Sequence, residues 1–313
     1  MNFFAYTVKR FLQLIPVLFG ISLGIFSLIH LIPGDPADTI LGQRADPQRS
    51  AQIHHLLGID KPLVSQYLSF LNHVIHGSLG TSFFTNLPVM TLIQGRLSVT
   101  AFLLIGGVIF SIIISLPLAT LAASKEGATR DQVIRFLPVI GLGMPQVWTG
   151  LQLILLFGLK FKLFPVSGYG NNFWQHVHST ILPCLAIAIT LSPILIRSLR
   201  ASMLNILESD FVLTATAKGI ARRRILFFHV LRNAVIASVT VLGVNIAYLV
   251  GATVVIERVF ALPGTGSLMI NAIGSRDFPV VQGVTLFFAI AVVLVNFLTD
   301  VIHAALDPRV SIK

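Results

Sequence analysis

Charge is what this sequence has least of. Only 11% of its 313 residues are Asp, Glu, Lys or Arg, against about 25% in a soluble domain. With 55% hydrophobic residues, such a chain cannot clothe a water-facing surface, and a soluble globular fold is excluded. Cysteine is nearly absent. The single Cys184 rules out an intrachain disulfide, and its place in an apolar run reads as a small buried hydrophobe. No Gly-Lys dipeptide occurs, so there is no Walker-type phosphate loop and no ATP site of that kind. The HExxH pattern of zinc proteases is missing as well, and no nucleophile elbow is expected. Ionisable residues within the apolar runs are few, and His30, Glu257 and Asp300 fall near run ends. Ion-coupled carriers use charges at the bilayer midplane, so that class is disfavoured. A formal net charge of +10 raises nucleic-acid binding. Charge this sparse, segregated between apolar runs, reads as membrane topology instead, and no nucleic-acid partner is expected.

What is present is a series of uncharged runs of about 20 residues, the length that crosses ~30 Å of hydrocarbon as a helix. They cover 11–32, 97–123, 136–159, 179–196, 234–256 and 278–299. The first is too long, and too punctuated by Pro and Gly, for a cleaved signal peptide. Its Gly20 and Gly24 form a GxxxG pair, by itself a weak sign of a close helix contact. Six spans place both termini on one side. On that side stand Lys9, Arg10, Lys125, Arg130, Arg135, Arg197, Arg200, the cluster described below, Arg309 and Lys313. Cations on the other side are spread over longer sequence, so the positive-inside rule makes the termini cytoplasmic. The expected fold is an all-α integral membrane protein with six transmembrane helices. Its parts are an N-terminal helix (1–32), an extracytoplasmic subdomain (33–96), a five-helix core (97–305) with a cytoplasmic loop at 204–233, and a cytoplasmic tail (306–313). Amphipathic pieces near 53–57 and 67–75 suit a small surface subdomain rather than a loose loop.

The loop holds the densest cationic cluster, Lys218, Arg222, Arg223, Arg224 and Arg232. After Asp210, the small residues Thr214, Ala215, Thr216 and Ala217 run up to Gly219, and an apolar run follows. This reads as a short helix, a glycine break and a second helix entering the membrane. Gly closes a helix through the left-handed conformation, and Lys218 suits the negative end of the dipole. Small residues let another backbone approach closely, which fits docking better than catalysis. On composition alone, an ordinary positive-inside loop remains the simpler reading.

Polar groups within the spans, Gln152, Asn245, Tyr248 and Thr253, are candidates for a translocation path, because unpaired amides and hydroxyls avoid lipid. Each serves equally well as a bond to a neighbouring helix. Pro16, Pro117, Pro138, Pro145, Pro183 and Pro193 mark kinks toward a pore or tolerated interruptions. His54-His55, His73 with His76, and His176 with His178 lie on the predicted outer side. Imidazole ligates nickel, but no thiol or carboxylate cluster accompanies them, so no metal site is assigned.

The loop resembles the cytoplasmic coupling loop of type I ABC-importer permeases, in the dipeptide/oligopeptide/nickel branch. That loop follows E-A-A-x-x-x-G-x9-I-x-L-P. Ala215, Gly219 and Leu231 match, while Leu213, Thr214, His229 and Arg232 stand for Glu, the first Ala, Ile and Pro. The branch favours T-A-R-A-K-G and L-R-N-A. Here they read Thr214-Ala215-Thr216-Ala217-Lys218-Gly219 and Leu231-Arg232-Asn233-Ala234, with Thr216 in place of Arg. The resemblance runs the whole length, through Pro33-Gly34-Asp35-Pro36, Leu57-Gly58-Ile59-Asp60-Lys61-Pro62-Leu63, Gly143-Met144-Pro145 and Leu163-Phe164-Pro165-Val166-Ser167-Gly168. It continues in Arg200-Ala201-Ser202-Met203-Leu204, Glu257-Arg258-Val259-Phe260-Ala261-Leu262-Pro263-Gly264-Thr265-Gly266, Arg276-Asp277-Phe278-Pro279 and Leu306-Asp307-Pro308-Arg309.

The resemblance implies a permease of the bacterial or archaeal cytoplasmic membrane, not itself an enzyme. Its partners would be a second homologous permease chain, one or two ABC ATPase subunits and an extracytoplasmic substrate-binding protein. ATP and Mg would sit on the ATPase, with no cofactor in this chain. Asp210, Thr214, Ala215, Ala217, Lys218, Gly219, Leu231 and Arg232 would couple to the ATPase. Asp35, Glu257, Pro263, Gly264 and Gly266 would face the binding protein, where Leu262 replaces an aromatic. Gly219→Val and Ala215→Arg are both expected to uncouple transport while leaving the chain in the membrane. Peptide is the leading substrate, nickel chelates and glutathione-like compounds the alternatives. A free-standing channel or a membrane enzyme is the reading from a different class.

Overall fold

The computed structural model describes residues 3–31, 46, 48, 50, 51, 55 and 60–306. Among them eleven α-helices occur: α1 (Phe3–Leu31), α2 (Leu63–Ile75), α3 (Val89–Ser124), α4 (Thr129–Gly143), α5 (Gln146–Leu153), α6 (Phe173–Leu207), α7 (Asp210–Ala217), α8 (Arg222–Arg224), α9 (Leu231–Val259), α10 (Thr265–Ser275) and α11 (Phe278–Leu306). α5 continues into a π-helical stretch, Ile154–Lys160, and a second one, Ile225–Val230, joins α8 to α9. Asp35 and His54 lie outside the described residues, as does the tail from 307 on.

Among the described residues five helices are long and apolar enough to cross a bilayer: Phe4–Ser27, Val89–Ser124, Phe173–Leu207, Ser238–Val259 and Phe278–Ala305. They answer to five of the six uncharged runs. The third run, 136–159, is not one helix but breaks between α4 and α5 at Met144-Pro145. Pro145 has no N–H to continue the ladder, and Met144 before it sits extended at φ −92°, ψ 119°, where a residue preceding proline is driven. The other in-helix prolines, Pro16, Pro117, Pro138, Pro183 and Pro193, lie inside continuous helices.

α6 is the axis of the bundle. It packs along α3 and also meets α4, α5 and α9, while α11 joins α9 to α1. α3 begins at Val89, eight residues before the uncharged run, and at 36 residues is about 54 Å long. The bundle therefore has two well-separated ends. At one, Val89 and Ile93 pack with Leu268 and Ala272 of α10 and Val280 and Val284 of α11. At the other, Ala119, Ala122 and Ala123 pack with Met203 of α6 and with the loop that follows. Arg10 pairs with Asp300 at 3.3 Å, setting the start of α1 beside the end of α11, at the loop end of the bundle.

The 33–96 segment is not separate from the core in its described C-terminal part. Asp277, buried just before α11, accepts the Ser82 hydroxyl at 2.5 Å and the Phe83 N–H at 3.2 Å. Closer to α1, Tyr67 of α2 packs against Phe19 and Phe26 and shares a 2.9 Å hydrogen bond with Ser22.

Candidate functional site

At the loop end, α6 stops at Leu207 and Ser209 starts a new helix, its carbonyl accepting the N–H groups of Val212 and Leu213. α7 lasts eight residues. Its stop is written in the backbone: Gly219 N–H donates to Thr216 O (3.0 Å), and Ile220 N–H to Ala215 O (3.2 Å). Gly219 sits at φ +75° with open space around it, so the restriction there is conformational rather than steric. This pair of bonds is the Schellman closure, and Ile220 and Ala215 both join the apolar cluster beneath it, as that motif requires.

α7 has two faces. Val212 and Ala215, three residues apart, are buried with Ile134, Leu199, Met203 and Ile225. Phe211, Leu213, Thr214, Thr216, Ala217 and Lys218 are exposed. Ala215 is therefore part of the seat that holds the loop, not of a docking surface, and an arginine there would disturb this chain's own core. Arg232 is exposed and Leu231 half-buried against the cluster. Past the turn, Phe227 and Phe228 also stand out, Phe228 with 70% of its surface free. The composition of α7 signalled a small-residue helix, but not that bulky apolar residues frame it.

Arginine contacts also fix the loop end. Arg222 donates from Nη2 to Ser124 O at 2.9 Å, a cation on a carbonyl at the C-terminus of α3. Asp131, fully buried in the first turn of α4, accepts from Arg200 Nε and Nη2 at 2.6 and 2.7 Å and from Gly127 N–H at 2.9 Å. This two-point pair from Arg200 outweighs burial and holds the Asp131 carboxyl below its usual range. The sequence reading noted Arg200 but not its partner.

At the opposite end, Glu257 was expected on the binding-protein surface. Its side chain is instead fully enclosed. One carboxylate oxygen accepts the Thr100 hydroxyl at 2.6 Å, and the other accepts the Ser267 N–H at 2.8 Å. Thr100 Oγ1 in turn accepts the Thr265 N–H at 2.9 Å. The carboxylate thus caps the N-terminus of α10 from the last turn of α9. A Cβ on Gly264 would stand 2.2 Å from that carboxylate, and one on Gly266 2.6 Å from the Val254 backbone. Both glycines are required by close approach and are buried; among the described members of that group only Pro263 is exposed. Leu262 is likewise core, packed with Phe260 and Ile256.

Asn245 donates its amide to Val241 O (2.7 Å) and Thr253 its hydroxyl to Val250 O (2.8 Å), each bonding its own helix. Tyr248 and Gln152 are exposed. The histidines have separate fates: His55 pairs with Asp60, His76 bonds Asn72 O, His176 stacks on Tyr169 at 4.0 Å and His178 bonds Leu163 O. Among the described residues no group of three His, Cys, Asp or Glu could hold a metal ion. The spacing Gly20-Ile21-Ser22-Leu23-Gly24 is that of a nucleophile elbow, which needs a strand-to-helix turn. Ser22 lies mid-helix and donates to Phe19 O, so no elbow exists there.

Fold and site together define a polytopic α-helical membrane protein with a rigid, partly apolar loop presented at one end. The chain matches the family described as binding-protein-dependent transport system inner membrane component over residues 115–312, and the N-terminal membrane component of the same systems over 3–104. It is 35% identical to the dipeptide transport system permease protein DppB of Escherichia coli K12, covering 98% of this chain and 99% of that one. Against the glutathione transport system permease protein GsiC of Salmonella choleraesuis identity is 34% over the same shares. The inward-facing MetNI methionine ABC transporter has a similar fold, with TM-score 0.58 at 18% identity over 70% of this chain and 97% of that one. The chain belongs to the binding-protein-dependent transport system inner membrane components, as a permease subunit rather than an enzyme.

Proposed function

We propose that this chain is one transmembrane half of an ATP-driven peptide importer and that α7 is the helix by which a cytoplasmic ATPase drives it. The observation that carries this reading is the two-faced α7. One face is seated in the chain's own core, and the other, framed by Phe211, Leu213, Lys218 and Phe228, is free for a partner. A loop that served only as a connection would have no reason to combine a rigid seat with exposed large apolar side chains. In this reading α4 and α5, with the π-helical stretch, make the sixth crossing, and both termini and the loop are cytoplasmic. Residues 33–96 form the outer subdomain, and α10 and Pro263 face the binding protein. A second permease chain and one or two ATPases complete the complex, with ATP and Mg on the ATPases. Dipeptides are the first substrates to test and glutathione, a tripeptide, the second, in keeping with the two named relatives. The separate partners of the histidines weigh against nickel.

The test is uptake by the complex in proteoliposomes with its binding protein and ATP, supplying a labelled dipeptide, glutathione and a nickel chelate in turn. Peptide uptake that Gly219→Val abolishes, with the variant still in the membrane, is the expected result. Normal uptake by Gly219→Val would remove α7 from the coupling role.

A further inference from the structure

We infer that Glu257 is a positioning residue of transport: its carboxylate makes α9 and α10 one rigid lever, so that movement of the loop is delivered to the outer end of the bundle. The inference rests on the coupling role of α7. Helical backbone is unbroken from Arg222 through the π-helical stretch to Val259, about 55 Å of continuous lever. One end carries the loop contacts of Arg222 with Ser124 O. At the other the chain reverses in five residues, with Ala261 at φ +48°, a turn that on its own would act as a hinge. Glu257 closes that hinge. It receives the Ser267 N–H from α10, its Thr100 donor also accepts the Thr265 N–H, and Gly264 and Gly266 are bare so that the carboxylate can enter. A buried carboxylate at the end of a membrane span is costly unless fully paired. A hydrophobic core alone would hold α10 in place, but would let it slide where directional bonds to a charged group do not.

The experiment places spin labels on Arg258→Cys and Asn271→Cys in the full complex. These exposed residues on α9 and α10 lie in contact, Arg258 Nη1 donating to Asn271 Oδ1 at 3.3 Å. The native Cys184 is buried and escapes labelling. The expected result is the same interlabel distance in the nucleotide-free and ATP-trapped states. Adding Glu257→Gln, which leaves one of the two donors without an acceptor and neither with a charged one, should broaden that distance and cut dipeptide uptake about tenfold. Joining the two cysteines with a short bifunctional thiol reagent should then restore uptake. A distance that changes with nucleotide state overturns the inference, as does wild-type uptake by Glu257→Gln or a failure of the cross-link to restore it. Uptake by the unmodified complex reports separately on the transport role itself.

Discussion

At the scale of single residues, the buried carboxylates behave as connectors. Asp131 is held ionised by Arg200, so its folded pKa is depressed. The stability this pair contributes is then fully present above the unfolded aspartate pKa, about 3.9, and is lost as pH falls through the lower folded value. Thermal unfolding of the detergent-solubilised chain should show that acid limb, and Asp131→Asn should flatten it. At neutral pH the same change should cost about 2–3 kcal/mol, because among the described residues Arg200 keeps only Glu126, at 3.8 Å, as an ionic partner. An unchanged acid limb in Asp131→Asn would show that the pair does not carry the pH dependence. Neither this pair nor the Glu257 network was legible in the sequence. Asp131 and Arg200 are 69 positions apart and Thr100 and Glu257 157 apart, and run lengths and charge counts report nothing about such distances.

At the scale of elements, long helices were the readable part, because an uncharged run is set by bilayer thickness and needs no tertiary information. The break in the third run was not, since six prolines in apolar runs look alike and only Pro145 is preceded by an extended residue. Glycines show the same limit. Gly243 and Gly251 both lie in α9, yet a Cβ on Gly243 would come within 2.1 Å of Thr299 on α11, while one on Gly251 meets nothing within 4 Å. Gly243→Ala should therefore force α9 and α11 apart and destabilise by about 1–3 kcal/mol. Gly251→Ala should be neutral or stabilising by up to about 1 kcal/mol, through helix propensity. Melting temperatures of the two variants in detergent decide the matter, and equal values would mean that the α9–α11 crossing yields without cost.

At the scale of the whole molecule, the loop joins two demands: it must be rigid in this chain and accessible to another. The sequence located the loop and its closing Gly219, but treated Thr214 to Ala217 as one small-residue surface. Which face turns inward is decided by the cluster of Ile134, Met203 and Ile225, whose members come from helices far apart in sequence. Two arginine substitutions, two positions apart, separate the demands. Ala215→Arg places a cation in the apolar seat and should lower the melting temperature and the yield of folded chain in the membrane, with transport lost as a consequence. Ala217→Arg adds a bulky cation to the exposed face and should leave melting unchanged. It should weaken retention of the ATPase on the purified permease and cut ATP-driven uptake by about tenfold or more. If Ala217→Arg retained the ATPase and transported normally while Ala215→Arg melted early, α7 would be a structural brace, and the driving contact would have to lie elsewhere in the loop, on Phe227 and Phe228.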